Sequence, residues 1–204
     1  MLAIVDYGMG NLRSVQKAFE LLGMPAVIIQ NPDEVRRAER LVLPGVGAFG
    51  DAIATLKRTG LAEALKEFAA SGRPLLGICL GMQLLMEEDF EDGRHVGLGL
   101  IAGDCVRFTV DAAPQNLKVP HMGWNSLEWE KPSPLFAGLE PGVHVYFVHS
   151  YHVRPRESGV VAATAEYGGR FAAALWQGNI YATQFHPEKS QRVGGAILRN
   201  FASL

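Results

Sequence analysis

The sequence predicts one α/β domain over residues 1–204: a doubly wound, mixed and mainly parallel sheet flanked by helices, with antiparallel strands added in the C-terminal half. Three observations lead there. Over roughly residues 1–90, short apolar runs of strand length alternate with stretches of helical period, as in parallel strands joined by crossover helices. Beyond residue 100, strand-like runs follow one another across glycine-containing turns, as in hairpins. A chain of 204 residues with 48% hydrophobic side chains buries one sizeable core.

Residues 2–5 are wholly apolar, as a strand covered on both faces must be. The loop Asp6-Tyr7-Gly8-Met9-Gly10-Asn11 leads into a helix over 12–22 that Gly23 stops. Gly8 and Gly10 begin a dinucleotide fingerprint, but Arg13 stands where its third glycine belongs. A strand over 26–30, a short helix over 32–37 and a strand over 40–43 follow, the last running into Pro44-Gly45-Val46-Gly47. Helices over 51–58 and 61–70 come next. Arg73-Pro74 then opens a strand ending at Cys79, from which a helical run continues over 80–88.

In the second half, residues 104–110 alternate polar and apolar, and 125–129 and 143–149 read as strands. Runs over 160–165 and 171–176 bracket a Gly168-Gly169 hairpin turn. Gln177-Gly178-Asn179 turns into a strand over 180–184, and a final helix over about 192–201 packs Val193, Ile197 and Phe201 inward.

A net charge of −2 with interspersed signs offers no basic stripe, so neither nucleic acid nor an anionic membrane is an expected partner. Cys79 and Cys105 form no metal-spaced cluster and no disulfide framework, which points to a reducing compartment, the cytoplasm. The N-terminal apolar run meets Asp6 too soon for a signal peptide, and the run at 75–86 is broken by Gly77, Gly81 and Gln83.

Gly77-Ile78-Cys79-Leu80-Gly81 has the form of a nucleophile elbow with cysteine as the nucleophile. The flanking glycines are expected because a Cβ at either would strike the neighbouring strand or helix. The turn points the sulfur out of the sheet, and the helix N-terminus beyond it favours the thiolate. A buried structural cysteine is the plainer alternative. A cysteine nucleophile needs a base, and the base needs an orienting acceptor. His186 follows an apolar strand and carries Glu188 two residues on, on the same face of an extended segment. His95, His121, His144, His149 and His152 lack such an acid and read as surface, loop or sheet residues. His149 and His152 lack further ligands at a useful spacing, so no metal is expected. For an oxyanion, the Leu80 amide is one donor by elbow geometry. The second is sought in the Pro44–Gly47 loop, at Val46 and Gly47, though an ordinary strand-to-helix turn reads the same.

Taken together, Gly77-Ile-Cys79-Leu-Gly81-Met-Gln83, Pro44-Gly45-x-Gly47 and His186-Pro187-Glu188 resemble the class I, or triad, glutamine amidotransferases in order and separation. The stretches at 6–15, 44–49, 120–125 and 146–151 are similar to the branch that serves imidazole glycerol phosphate synthase in histidine biosynthesis. The resemblance implies that Cys79 attacks glutamine, His186 moves the proton and Glu188 holds His186. It further implies that Gln83 and the backbone at Ser150 and Tyr151 hold the substrate, and that Glu91, placed by its offset from Cys79, meets the α-ammonium. Ammonia would pass to a cyclase subunit with a (β/α)8 barrel in a heterodimer, with Trp124, Tyr146 and Lys189 facing that partner. No cofactor is implied. Many relatives carry glycine where this chain has Val46, and a β-branched residue there resists positive φ. An oxyanion peptide that misforms without the partner is therefore expected. A glutaminase feeding another synthase, a cysteine peptidase or deglycase-like relative, and a non-catalytic module of the same fold remain the competing readings.

Overall fold

The computed structural model describes residues 1–109 and 117–204. Strand β1 (Leu2–Val5) leads through α1 (Leu12–Leu21) to β2 (Ala26–Ile29), and α2 (Pro32–Arg37) leads to β3 (Arg40–Gly45). Helices α3 (Phe49–Arg58) and α4 (Leu61–Ala70) precede β4 (Leu75–Cys79), which hands over to α5 (Leu80–Leu84). Then come β5 (Met86–Asp89), β6 (His95–Val96), β7 (Ile101–Arg107), β8 (His121–Ser126) and β9 (Glu128–Trp129). The chain closes with β10 (His144–His149), β11 (Tyr151–Pro155), β12 (Val161–Glu166), β13 (Arg170–Gln177), β14 (Ile180–Thr183) and α6 (Gln191–Ala202).

The main sheet has eight strands in the order β2-β1-β3-β4-β14-β13-β12-β9. The first five are parallel and the last three antiparallel, which is the predicted mixed sheet. Alternation along β1 sends Ala3 and Val5 into one core and Leu2 and Ile4 into the other. Helices α2, α3, α4 and α5 bury Val35, Phe49, Leu65 and Leu80 on the first face. On the second, α1 and α6 bury Phe19, Ile197 and Phe201. The chain leaves β1 for β2 on one side and reaches β3 on the other. The loops after β1 and β3 therefore meet at a topological switch point, the usual place for a ligand crevice in such sheets. Two small sheets complete the described residues, β10-β8 and β11-β7-β5-β6.

Several predicted elements change. The helix expected over 80–88 stops at Leu84, because Leu98, Leu100 and Ile101 donate their N–H groups to the Leu84 and Leu85 carbonyls and Met86–Asp89 pairs with β7. Long-range pairing overrides a local helical pattern here. The strand expected over 125–129 splits at Leu127, whose side chain is fully buried, and its two halves join different sheets. Strand β3 runs two residues past Leu43, because Pro44 and Gly45 stay in register with Ile78 and Cys79. The run expected over 104–110 forms β7 from Ile101, and residue 110 lies outside the described residues. Strands β5, β6 and β11 were not expected. Among the described residues no helix is long and apolar enough to cross a membrane.

Candidate active site

Cys79 sits at the carboxyl end of the central strand β4 with φ 55° and ψ −110°, the strained geometry of an elbow. The flanking glycines earn their places by contact. A Cβ on Gly77 would lie 2.8 Å from the Gly81 carbonyl oxygen. One on Gly81 would lie 2.9 Å from the Leu43 carbonyl carbon and closer still to its oxygen. The thiol is 7% exposed.

Strand β14 lies beside β4 with Thr183 opposite Ile78, so the segment leaving β14 delivers His186 next to Cys79. His186 Nδ1 lies 2.7 Å from Glu188 Oε1, and both side chains are 2% exposed. His186 Nε2 has no hydrogen-bond partner among the described residues. Burial works against charge on this imidazole, but Cys79 and the Glu188 carboxylate outweigh it and hold His186 protonated well above the ordinary histidine range. The backbone of His186 is gripped from two sides. Its N–H donates to the Tyr146 carbonyl at 2.9 Å, and its carbonyl accepts from Ser190 Oγ at 2.7 Å. Ser190 Oγ in turn accepts the Tyr146 N–H at 2.9 Å.

Beyond β3, Val46 is 41% exposed and Gly47 has φ 102°. Among the described residues only Cys79, Asp92 and Gln191 combine a side chain with positive φ, so Val46 stays on the ordinary side of the map. Leu80 opens α5, and its Cβ lies against Gly45. A narrow enclosed cleft joins Gly45 and Val46 to His186 and Glu188. Gln83 is buried and donates to the Tyr151 carbonyl at 3.2 Å. Ser150 and Tyr151 form the corner between β10 and β11. Glu91 accepts the Phe49 N–H at 2.6 Å, which caps α3 just past the Val46–Gly47 loop and starts that helix two residues earlier than expected. Trp124, Tyr146 and Lys189 gather into one patch. The two rings meet edge to face at 6.0 Å, and Lys189 Nζ lies 5.9 Å from the Tyr146 ring centre.

Two residues of the site escaped the sequence. Gln184 is fully buried, accepts from Gln83 at 3.3 Å and donates toward Cys79 Sγ at 3.8 Å. A polar residue ending an otherwise apolar strand was the available sign. Tyr7 is 5% exposed with its hydroxyl packed on Gly45, and burial, then Cys79, pushes that hydroxyl's pKa far up.

His121 and His149, 3% and 6% exposed, stand behind this cluster. Burial pushes His121 down to about 4 and His149 down to about 3. Unfolding returns each to about 6.5, so below that pH the unfolded chain binds protons the folded chain refuses. Their neutral burial costs nothing above pH 6.5, and stability is lost as pH falls toward 4. His186, shifted upward, has the opposite sign, and its contribution is lost only at alkaline pH. Urea unfolding at pH 7 and pH 5 is expected to show a loss of roughly 2–4 kcal/mol on acidification. His121→Phe should about halve that loss, and an undiminished loss would place its origin elsewhere.

Comparison with known proteins adds a second line of support. The family model for class-I glutamine amidotransferases matches residues 3–203. The chain is 55% identical over 206 residues to the imidazole glycerol phosphate synthase subunit HisH of Syntrophotalea carbinolica, covering all of both chains. It is 54% identical over 203 residues to the subunit of that name from Rhodopirellula baltica, covering 100% of this chain and 97% of the relative. Among solved structures, a glutamine amidotransferase aligns over all of both chains with TM-score 0.76 at 22% identity. PurLQS from Thermotoga maritima aligns over 99% of this chain and 97% of the other with TM-score 0.77 at 19% identity, a likeness of fold.

Proposed function

The chain belongs to the class I glutamine amidotransferases, in the branch of the imidazole glycerol phosphate synthase subunit HisH, and we propose that it releases ammonia from glutamine through a Cys79–His186–Glu188 triad. The observation that carries this is the 2.7 Å His186–Glu188 contact, sealed from water, set behind a cysteine at φ 55°.

The chemistry follows from the geometry. Cys79 Sγ attacks the side-chain amide carbon of glutamine, and the carbonyl oxygen becomes an oxyanion that the Leu80 N–H meets. His186 Nε2, unpartnered in the free chain, gives its proton to the departing ammonia and leaves a thioester. The same nitrogen then takes a proton from water, which attacks the thioester to release glutamate and the thiol. Glu188 fixes the tautomer and stabilises the imidazolium throughout. Gln83 and the Ser150–Tyr151 corner hold the amino-acid end, with Glu91 leaving its cap on α3 to meet the α-ammonium.

Ammonia in bulk water near neutral pH is protonated and no longer a nucleophile, so it must be handed on directly. The receiver in this reading is a (β/α)8 cyclase subunit in a heterodimer, docked on the Trp124, Tyr146 and Lys189 patch. An exposed tryptophan beside a half-buried tyrosine, next to a catalytic segment, suits such an interface. Two free, buried cysteines suit the cytoplasm.

The test is glutamate release by the purified chain, alone and with the cyclase subunit and its nucleotide ligand. Strong release only in the complex supports the whole reading, and silence in both settings overturns it. Val46 supplies the brake in this scheme, since turning its peptide toward the oxyanion demands backbone strain of about 1–3 kcal/mol. Val46→Gly should therefore raise partner-free glutaminase activity about 10-fold. An unchanged rate would show that Val46 is not the brake.

A further inference from the structure

Strands β8 and β10 form a plate with two unlike faces. Met122, Trp124 and Tyr146 share the outward side, where Met122 and Trp124 are 62% and 48% exposed. On the inward side His121 is paired in register with His149. The proposed chemistry uses neither histidine. Both lie among aromatic rings, with His121 stacked 4.7 Å from Phe147 and 4.0 Å from Tyr167, and His149 5.1 Å from Phe108. Two phenylalanines would fill such a space without the cost of burying polar rings.

The hydrogen bonds around these rings run in a single direction. His149 Nδ1 lies 2.8 Å from the Tyr151 carbonyl oxygen. A carbonyl only accepts, so His149 carries its proton on Nδ1, and its Nε2 is an acceptor. That nitrogen lies 3.0 Å from His121 Nδ1, which must therefore be the protonated nitrogen of His121. His121 Nε2 is then an acceptor as well, 3.3 Å from the Asn125 amide nitrogen, which also donates to the Glu166 carbonyl at 2.8 Å. Neutral rings suit this chain, because a second proton on either histidine would set two donors face to face. At its inner end, the Tyr151 carbonyl also receives Gln83, and the line continues through Gln184 to Cys79. Ser150 sits between His149 and Tyr151, where the chain leaves one sheet for the other.

We propose that His149 is a positioning residue whose Nδ1–H holds the Tyr151 carbonyl and so sets the Ser150–Tyr151 backbone and the Gln83 amide for glutamine, with His121 and Asn125 fixing its tautomer. The role in binding rests on the glutaminase reading. The geometry of the chain does not.

The experiment compares His149→Leu, His149→Asn and His121→Phe in the two-subunit complex, and records imidazole ¹⁵N spectra of the wild-type chain. His149→Leu is expected to raise KM for glutamine about 10-fold or more while kcat falls less than about threefold. His149→Asn, whose side-chain amide can still donate to Tyr151, should recover most of that loss. His121→Phe should give an intermediate KM, and the spectra should show His149 neutral and protonated on Nδ1. A wild-type KM in His149→Leu, a loss confined to kcat, or an Nε2-protonated His149 would overturn the proposal. Should His149→Leu fail to fold, His149→Asn, His121→Phe and the tautomer decide it. A wild-type complex that leaves glutamine untouched would sink the glutaminase reading instead, and the ¹⁵N spectra would still decide the hydrogen-bond chain.

Discussion

Replacing Cys79 with alanine is expected to lower glutamate release from glutamine by at least about 10⁴-fold in the complex while leaving the unfolding midpoint within a few degrees of wild type. The scale follows from what is lost: without the sulfur no thioester forms, and only binding and the oxyanion donors remain. Cys105 offers no substitute. It is fully buried in β7, and burial, then the neighbouring Asp89, pushes its thiol pKa up and keeps it protonated. His186→Ala should cost about as much as Cys79→Ala, and the double variant little more than either, because the two act as a unit. Glu188→Gln is more informative. It removes the carboxylate that helps hold His186 protonated, so the imidazole pKa should fall. Protonated His186 would then be lost at lower pH than in wild type. Activity should drop roughly 10²–10⁴-fold, and the alkaline limb of the kcat/KM profile for glutamate release, which needs protonated His186, should move to lower pH. Residual activity within 10-fold of wild type in Cys79→Ala would place the nucleophile elsewhere and remove the basis of the proposed mechanism.

What could be read in advance depended on how far apart in the chain the cause and its effect lie. The elbow was legible because Gly77, Cys79 and Gly81 lie within five consecutive residues, and their spacing states the steric demand locally. The parallel half of the main sheet was legible for the same reason, since each strand and its crossover helix alternate in sequence. The early end of α5 was not, because what stops it is the arrival of Leu98 and Ile101 from beyond a turn. The start of α3 at Phe49 escaped likewise, since its cap is the carboxylate of Glu91, 42 residues away. His121 and His149 looked like ordinary sheet residues because nothing local marks them. Their pairing needs the antiparallel register of β8 and β10, which no short stretch encodes. Gln184 was the last residue of the strand expected over 180–184, which the structure ends at Thr183, and it stands two before His186. The strand pattern already accounted for it, and its contact with Gln83 and Cys79 needs elements about 100 residues away.

Gly81→Ala is expected to destabilise the fold by at least about 3 kcal/mol, or to prevent folding, although helix propensity alone argues the other way. Gly81 lies within α5, where alanine is favoured over glycine by about 1 kcal/mol. Against that stands the β3 backbone, with the added Cβ 2.9 Å from the Leu43 carbonyl carbon and nearer to its oxygen. Leu43 cannot retreat cheaply. Its strand is held between β1 and β4, and Leu43 is in register with Gly77, so a shift there breaks the sheet at its centre. Moving α5 instead would drag Leu80 off Gly45 and displace the elbow itself. Steric overlap with a fixed backbone outweighs the propensity gain, and the loss should appear both in the unfolding midpoint and in slower alkylation of Cys79 by iodoacetamide. Gly159→Ala supplies the control: a Cβ there meets nothing within 4 Å, so its effect should stay within about 0.5 kcal/mol. A Gly81→Ala protein as stable as that control would mean that α5 and β3 can part without cost, and the elbow would then owe its shape to something other than their close approach.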